Sequence, residues 1–377
     1  MKKIVKRMIA LLSVCVLTTG LFACDIVVEN SAGQSAENSG NSVPSGNETE
    51  NGGASEEELQ PASEGLEFTL NDDGVSYTVV GIGTCLDRDI VIPSKHEGLP
   101  VTAIGKCAFS SSKTLESVKA QSGITEVGAG AFMCSRYLES VILPASVRIL
   151  GEEAFYDCSG IEEIVLGKNI ETIGAHTFWN CCNLKEIVIP DTVTSIGEKA
   201  FGDCQKMQSA KLGSSLQYIG FGAFFKCWAL KDITIPDSVK TIDQNAFQYC
   251  SGAETLTLGN GVETISYAAF NGCRALKEVS IPDSVTYLGD SAFSTCPALT
   301  TVVIGEGLTA IGKSSFEGCS ALATVTIGSK IKTISSSAFK NCTAISLVYY
   351  KGTAESWNSI TIEGANSSLT NAERRYI

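Results

Sequence analysis

The stretch "PDSVTYLGDSAFSTCPAL", Pro282 to Leu299, spaces Val285, Leu288, Phe293 and Leu299 along one apolar face and sets Cys296 among them. Its Phe belongs to a series. Phe109, Phe132, Phe155, Phe178, Phe201, Phe224, Phe247, Phe270, Phe293, Phe316 and Phe339 follow one another at steps of 23 residues without a slip. A fixed period of this size marks a solenoid, in which each repeat is one coil that buries its apolar side only by stacking on its neighbours.

Within a coil the apolar positions fall at fixed places after the Phe. In the coil from Phe178 they are Leu184, Ile187, Ile189, Val193 and Ile196. "LKEIVIP", Leu184 to Pro190, alternates as a short strand does, and the same segment in every coil predicts a parallel sheet on one face. Coils about 4.8 Å apart give a rod roughly 50 Å long. "GEKAF", Gly197 to Phe201, reads as a short helical or 3₁₀ turn on the opposite face. The strand is closed alternately by Pro144, Gly167, Pro190, Gly213, Pro236, Gly259, Pro282 and Gly305, so the array reads as duplicated pairs of coils. Asp191, Asp237 and Asp283 follow the prolines, where Asp serves turns by bonding its own backbone.

Cys158, Cys181, Cys204, Cys227, Cys250, Cys273, Cys296, Cys319 and Cys342 each lie three residues after a Phe. They are expected to stack as an interior ladder of small apolar side chains with a weak S–H donor. Disulfides suit a secreted chain, but parallel side chains on stacked coils lie alongside one another rather than pointing together. Zinc ligation is not suggested: there is no C-x₂-C pair, and His96 and His176 are the only histidines. Ser112 and Ser135 take the ladder place in the first two coils, Cys134 sits one place early, and Ala253 replaces the usual Leu. Cys182 falls outside the column, on the side expected to meet solvent.

The phased pattern IP-x-x-V-x-x-I-G-x-x-A-F-x-x-C-x-x-L resembles the leucine-rich repeats of the BspA-like family of bacterial and protist surface proteins. The resemblance covers roughly residues 90 to 350. It implies a right-handed coil, surface display and binding to protein, host or microbial partners, with no catalytic residues. Residues 66–100, opening on "LEFTLNDDGVSYTVVGIG", read as a capping β-hairpin and an irregular first coil, followed by about eleven coils over 101–350. Residues 351–377 break the period and resemble the closing cap of such proteins in Gram-positive bacteria.

Ahead of the repeats, Lys2, Lys3, Lys6 and Arg7 precede an apolar run too short for a membrane span, which is the anatomy of a secretory signal over residues 1–24. Its end, "LFAC", resembles a bacterial lipobox, which implies diacylglycerol on Cys24 and a protein anchored at the extracellular face of the cell membrane by lipid alone. Residues 25–65 hold nine acidic and no basic residues and read as a disordered tether. Net charge is −13; the signal contributes +4, so the mature chain stands at −17, which argues against nucleic acid as a partner.

Enzyme signatures such as G-x-S-x-G, H-E-x-x-H or a phosphate-binding glycine loop are absent, and no cofactor is expected. His96 and His176 read as solvated surface residues. Two surface columns are candidate ligand-binding elements. On the sheet, Ile142, Val165 and Val188 should line up outward beside Glu163 and Glu186; the plainer reading is β-propensity on an outer face. On the turns, Tyr156, Trp179, Phe225 and Trp228 gather in the third to sixth coils; the plainer reading is packing over the turns. The expected function is non-enzymatic adhesion to a protein partner on a host or neighbouring cell, with glycan or cell-wall binding, or a structural spacer, as alternatives.

Overall fold

A computed structural model of the protein describes residues 61–377; Cys24, the signal and most of the acidic segment lie outside the described residues. The chain winds as a parallel β-solenoid in which two sides of each coil contribute a strand. A hairpin, Glu67–Leu70 against Tyr77–Gly81, opens it and passes into a long sheet through Leu99–Ile104. From Glu126–Val127 to Tyr287–Leu288 that sheet gains one two-residue strand per coil.

The Phe ladder fills the interior. Its rings stack nearly parallel with centroids 5.0 to 5.6 Å apart, as the coil rise demands. Leu184, Ile187, Ile189, Val193 and Ile196 are buried in this core, as their phase predicts.

The segment Gly197–Phe201 and its counterparts form tight turns rather than a helix. Lys199 and Asp203, two residues either side of Phe201, have φ of 48° and 57°, which interrupts any helical run. Their backbone donors point to the next coil instead: Lys199 N to Phe221 O, Phe201 N to Ala223 O and Asp203 N to Phe225 O, each at 2.7 Å. Thus the third side is also hydrogen-bonded from coil to coil.

The ladder thiols donate in the opposite direction, to the preceding coil. Cys158 Sγ donates to Phe132 O at 2.9 Å, Cys204 to Phe178 O at 3.3 Å and Cys342 to Phe316 O at 3.0 Å, and the members between them repeat the bond. Ser135 makes the equivalent bond to Phe109 O at 2.6 Å, so a hydroxyl serves where the sequence drops the thiol. Cys182, expected to meet solvent, is 7% exposed: it packs beneath the strand side, its sulfur 3.9 Å from Ser159 O.

The Pro and Gly alternation divides the other sheet into segments. Strands pair at each passage from a Pro coil to a Gly coil: Ser140–Ile142 with Glu163–Val165, Glu186–Val188 with Ser209–Lys211, Asp232–Ile235 with Thr255–Leu258, and Glu278–Ile281 with Thr301–Ile304. The passages from Gly167 to Pro190, Gly213 to Pro236 and Gly259 to Pro282 carry no strand pairing. At the paired passages the backbones come so close that a Cβ on Gly213 would lie 2.2 Å from Pro190 O, and one on Gly259 would lie 2.5 Å from Pro236 O. The aspartates clamp these same passages. Asp191 accepts from Ser214 N at 2.7 Å, Asp237 from Asn260 N at 2.6 Å and Asp283 from Glu306 N at 2.7 Å, so each bonds the next coil rather than its own turn.

Gly213→Ala should therefore destabilise the protein by about 1–3 kcal/mol through overpacking. Gly364→Ala, where no atom lies within 4 Å of the added Cβ, should be near neutral. Urea midpoints of the two variants check this; equal midpoints would mean that the close approach at Gly213 has no energetic weight.

The closing segment adds one strand to each side: Thr361–Ile362 pairs with Thr333–Ile334, and Glu373–Tyr376 with Leu347–Tyr350. Trp357, on the helix Ala354–Asn358, is buried edge-on against Tyr350 at 5.3 Å and covers the end of the core.

Candidate functional site

Among the described residues no three of His, Cys, Asp and Glu converge as a metal site would require. Burial drives the thiols of Cys158, Cys181, Cys204, Cys227 and Cys250 well above their ordinary range and Cys273 up to about 12, the opposite of what a nucleophile needs. Nor are the histidines simply solvated. His96 stacks on Phe68 at 4.0 Å and meets Tyr77 edge-on at 4.8 Å, because the hairpin lays its aromatics over the Lys95–His96 strand. His176 lies edge-on to Trp179 at 6.0 Å.

On the sheet side, strand alternation turns Ile142, Val165 and Val188 outward at the same register of three successive coils, with exposures of 46, 48 and 58%. Glu163 and Glu186, two residues earlier on their strands, are exposed beside them. The row crosses the unpaired passage between Gly167 and Pro190. There the surface opens into a cleft of about 470 Å³ lined by Glu163, Val165, Leu166, Lys168, Glu186, Val188, Pro190, Asp191 and Lys211. Leu166, Lys168 and Lys211 were not singled out from sequence; the Pro and Gly alternation, which includes Pro190, was the signal that could have located them.

The turn side separates the four aromatics. The rings of Trp179 and Phe225 are stacked nearly parallel, 8° apart with centroids at 6.5 Å, although they are 46 residues apart in sequence. They meet because the coil between them carries Gly202 at that place, where a Cβ would lie 2.3 Å from the Trp179 ring. Tyr249 continues the cluster edge-on to Phe225 at 5.9 Å. Lys199 Nζ lies 5.6 Å from the Trp179 centroid and 5.5 Å from that of Phe221, and Lys226 Nζ 5.2 Å from that of Phe225. Tyr156, half-buried, and Trp228, 40% exposed, make no ring contact among the described residues.

The repeat register matches the family description "BspA type leucine rich repeat region" in six copies, over residues 85–204, 172–296 and 253–368. The chain belongs to this family. Solved structures similar to this BspA-type chain include a leucine-rich repeat protein from Bacteroides ovatus, 23% identical over 85% of this chain and 100% of that one, with a TM-score of 0.62. A leucine rich cell surface protein from Faecalibacterium prausnitzii is 27% identical over 80% of this chain and 98% of its own, with a TM-score of 0.48. The leucine-rich repeat protein of T. pallidum is 28% identical over 58% of this chain and 90% of its own, with a TM-score of 0.44. No curated protein matches the chain. Among the described residues no helix is long and apolar enough to cross a membrane.

Proposed function

We propose that the protein is a non-enzymatic binding protein displayed at the bacterial cell surface, held by lipid on Cys24, and that it takes a protein partner on the sheet side. The observation that carries this reading is the row Ile142, Val165 and Val188: three aliphatic side chains half-exposed across neighbouring strands, bordered by carboxylates and opening into a cleft. Aligned exposed apolar surface with a charged border is what a protein contact uses. The glycan alternative draws on the parallel rings of Trp179 and Phe225. It is the weaker reading, since Lys199 and Lys226 lie against the rings and Trp179 leans into the space left by Gly202.

Two double variants separate these readings. Val165→Thr with Val188→Thr should abolish capture of the protein partner in a pull-down with the full chain, while Trp179→Ser with Phe225→Ser should leave it intact. The converse pattern would transfer the site to the turns. Cys24→Ala should release the protein from cells into the medium; unchanged membrane retention would exclude the lipid anchor.

A further inference from the structure

We propose that the long sheet carries a second binding site, which takes a neutral oligosaccharide over Thr241 and Thr264, between Tyr218 and Tyr287. It lies on different strands from the Ile142, Val165 and Val188 row, and it is independent of the protein partner proposed there.

The outward position of the two-residue strands supplies the walls and the floor. Tyr218, Thr241, Thr264 and Tyr287 follow one another there in register through four successive coils. Coils about 4.8 Å apart set the two tyrosines roughly 14 Å from each other, with the half-buried threonines between them. Tyr218 is 39% exposed and Tyr287 56%.

The corner that follows these strands changes in the same window. Gly151, Gly174, Gly197 and Gly220 occupy it before the window and Gly289 and Gly312 after it, whereas Asp243 and Ser266 stand there within it. Close backbone favours glycine at this corner: a Cβ on Gly220 would lie 2.7 Å from Ile196 O, and one on Gly289 2.5 Å from the carbonyl carbon of Ser266. Between Gly151 and Gly312, then, a side chain is admitted only in the two coils that the tyrosines bracket. The Tyr218 hydroxyl donates to Asp243 Oδ2 at 2.5 Å, and Asp243 Oδ1 accepts from Gln244 N at 2.7 Å. This holds the Tyr218 ring toward the next coil before any ligand arrives, so less side-chain freedom is lost on binding. Tyr267, next to Ser266 and 50% exposed, adds a third ring at the border.

The chemistry of the surface selects the ligand. The charges beside the threonines are already matched, since Lys240 Nζ lies 3.1 Å from Glu263 Oε1, and Asp243 is engaged by its two donors. No aliphatic side chain stands at the four outward positions, in contrast to the apolar centre that a protein contact uses. What remains is aromatic faces with polar tips above a floor of hydroxyls. A sugar ring complements both, with a C–H face to lie on a tyrosine and hydroxyls around its rim to meet threonine.

The full chain applied to an array of neutral and acidic di- to hexasaccharides tests this. Neutral members should be retained, with those of three or more sugars preferred over the disaccharide, because a longer chain reaches both walls. Tyr218→Ser and Tyr287→Ser should each weaken binding of the retained sugar at least tenfold, Tyr287→Phe should preserve it, and Val165→Thr/Val188→Thr should leave it unchanged. Tyr287 makes no side-chain hydrogen bond among the described residues, so the melting temperature of Tyr287→Ser should not move. Retention of acidic members alone, binding indifferent to both tyrosines, or no retention would overturn the site. Binding lost in Trp179→Ser/Phe225→Ser but kept in both tyrosine variants would overturn it too, by moving the sugar to the turns.

Discussion

Phe224→Ala should lower the stability of the folded array by about 3–5 kcal/mol, the range for removing a buried aromatic ring from a core that relaxes little. The Phe224 ring is fully buried and stacks on Phe201 at 5.2 Å and on Phe247 at 5.0 Å, so its loss opens the ladder near its middle. In a solenoid each coil draws stability from its two neighbours, and a weak coil in the middle divides the array. A urea titration followed by tryptophan fluorescence should show one transition becoming two. Phe225→Ala, at a half-buried neighbour in sequence, should cost much less. Equal effects of the two substitutions would mean that the 23-residue phase does not separate core from surface.

Stability should also fall steeply once pH rises above about 9. An unfolded thiol titrates near 8.5. Burial keeps Cys158, Cys181, Cys204, Cys227 and Cys250 protonated well above that, and Cys273 up to about 12. Below the unfolded value both states hold these protons and the thiols add no slope. Above it the unfolded chain releases protons that the folded chain keeps, so stability declines by about 1.4 kcal/mol per pH unit for each thiol, until the folded values are passed. For six thiols that is about 8 kcal/mol per unit while the array unfolds as a whole. Urea midpoints at pH 7.5, 9 and 10 should fall accordingly. Ser135 accepts the ladder role with a hydroxyl, so Cys204→Ser should fold and lose its share of the slope. Identical slopes for parent and variant would show that other groups govern alkaline unfolding.

Much of this architecture is legible in one dimension because a single period survives along the chain. The phase that puts Phe201 inside also puts Cys204, Leu184 and Ile196 inside, and all four are buried. What the period conceals is the contact made at a distance of one coil. Asp191 looks like a local turn former, yet its partner is Ser214, 23 residues on. The long sheet escapes notice because pairs such as Ser195–Ile196 are too short to alternate. Left-handed backbone at Lys199 and Asp203 leaves no mark in composition, so the turns look helical. At the candidate site, the outward set of Val165 and Val188 follows from strand alternation. The cleft between them opens where the two strands carry no pairing, which no single residue announces. The stacking of Trp179 on Phe225 depends on the absent side chain of Gly202.

The central claim is that the 23-residue phase turns nine thiols inward onto the phenylalanine carbonyls of the preceding coil. Native labelling with N-ethylmaleimide, read residue by residue by mass spectrometry, measures this most directly, and exposed Cys107 supplies the reference rate within the same molecule. Cys107 should react within minutes, while Cys158, Cys204, Cys250 and the other ladder members stay unlabelled until denaturant is added. A ladder cysteine that labels in the folded protein as fast as Cys107, or a disulfide joining two ladder members, would contradict the account.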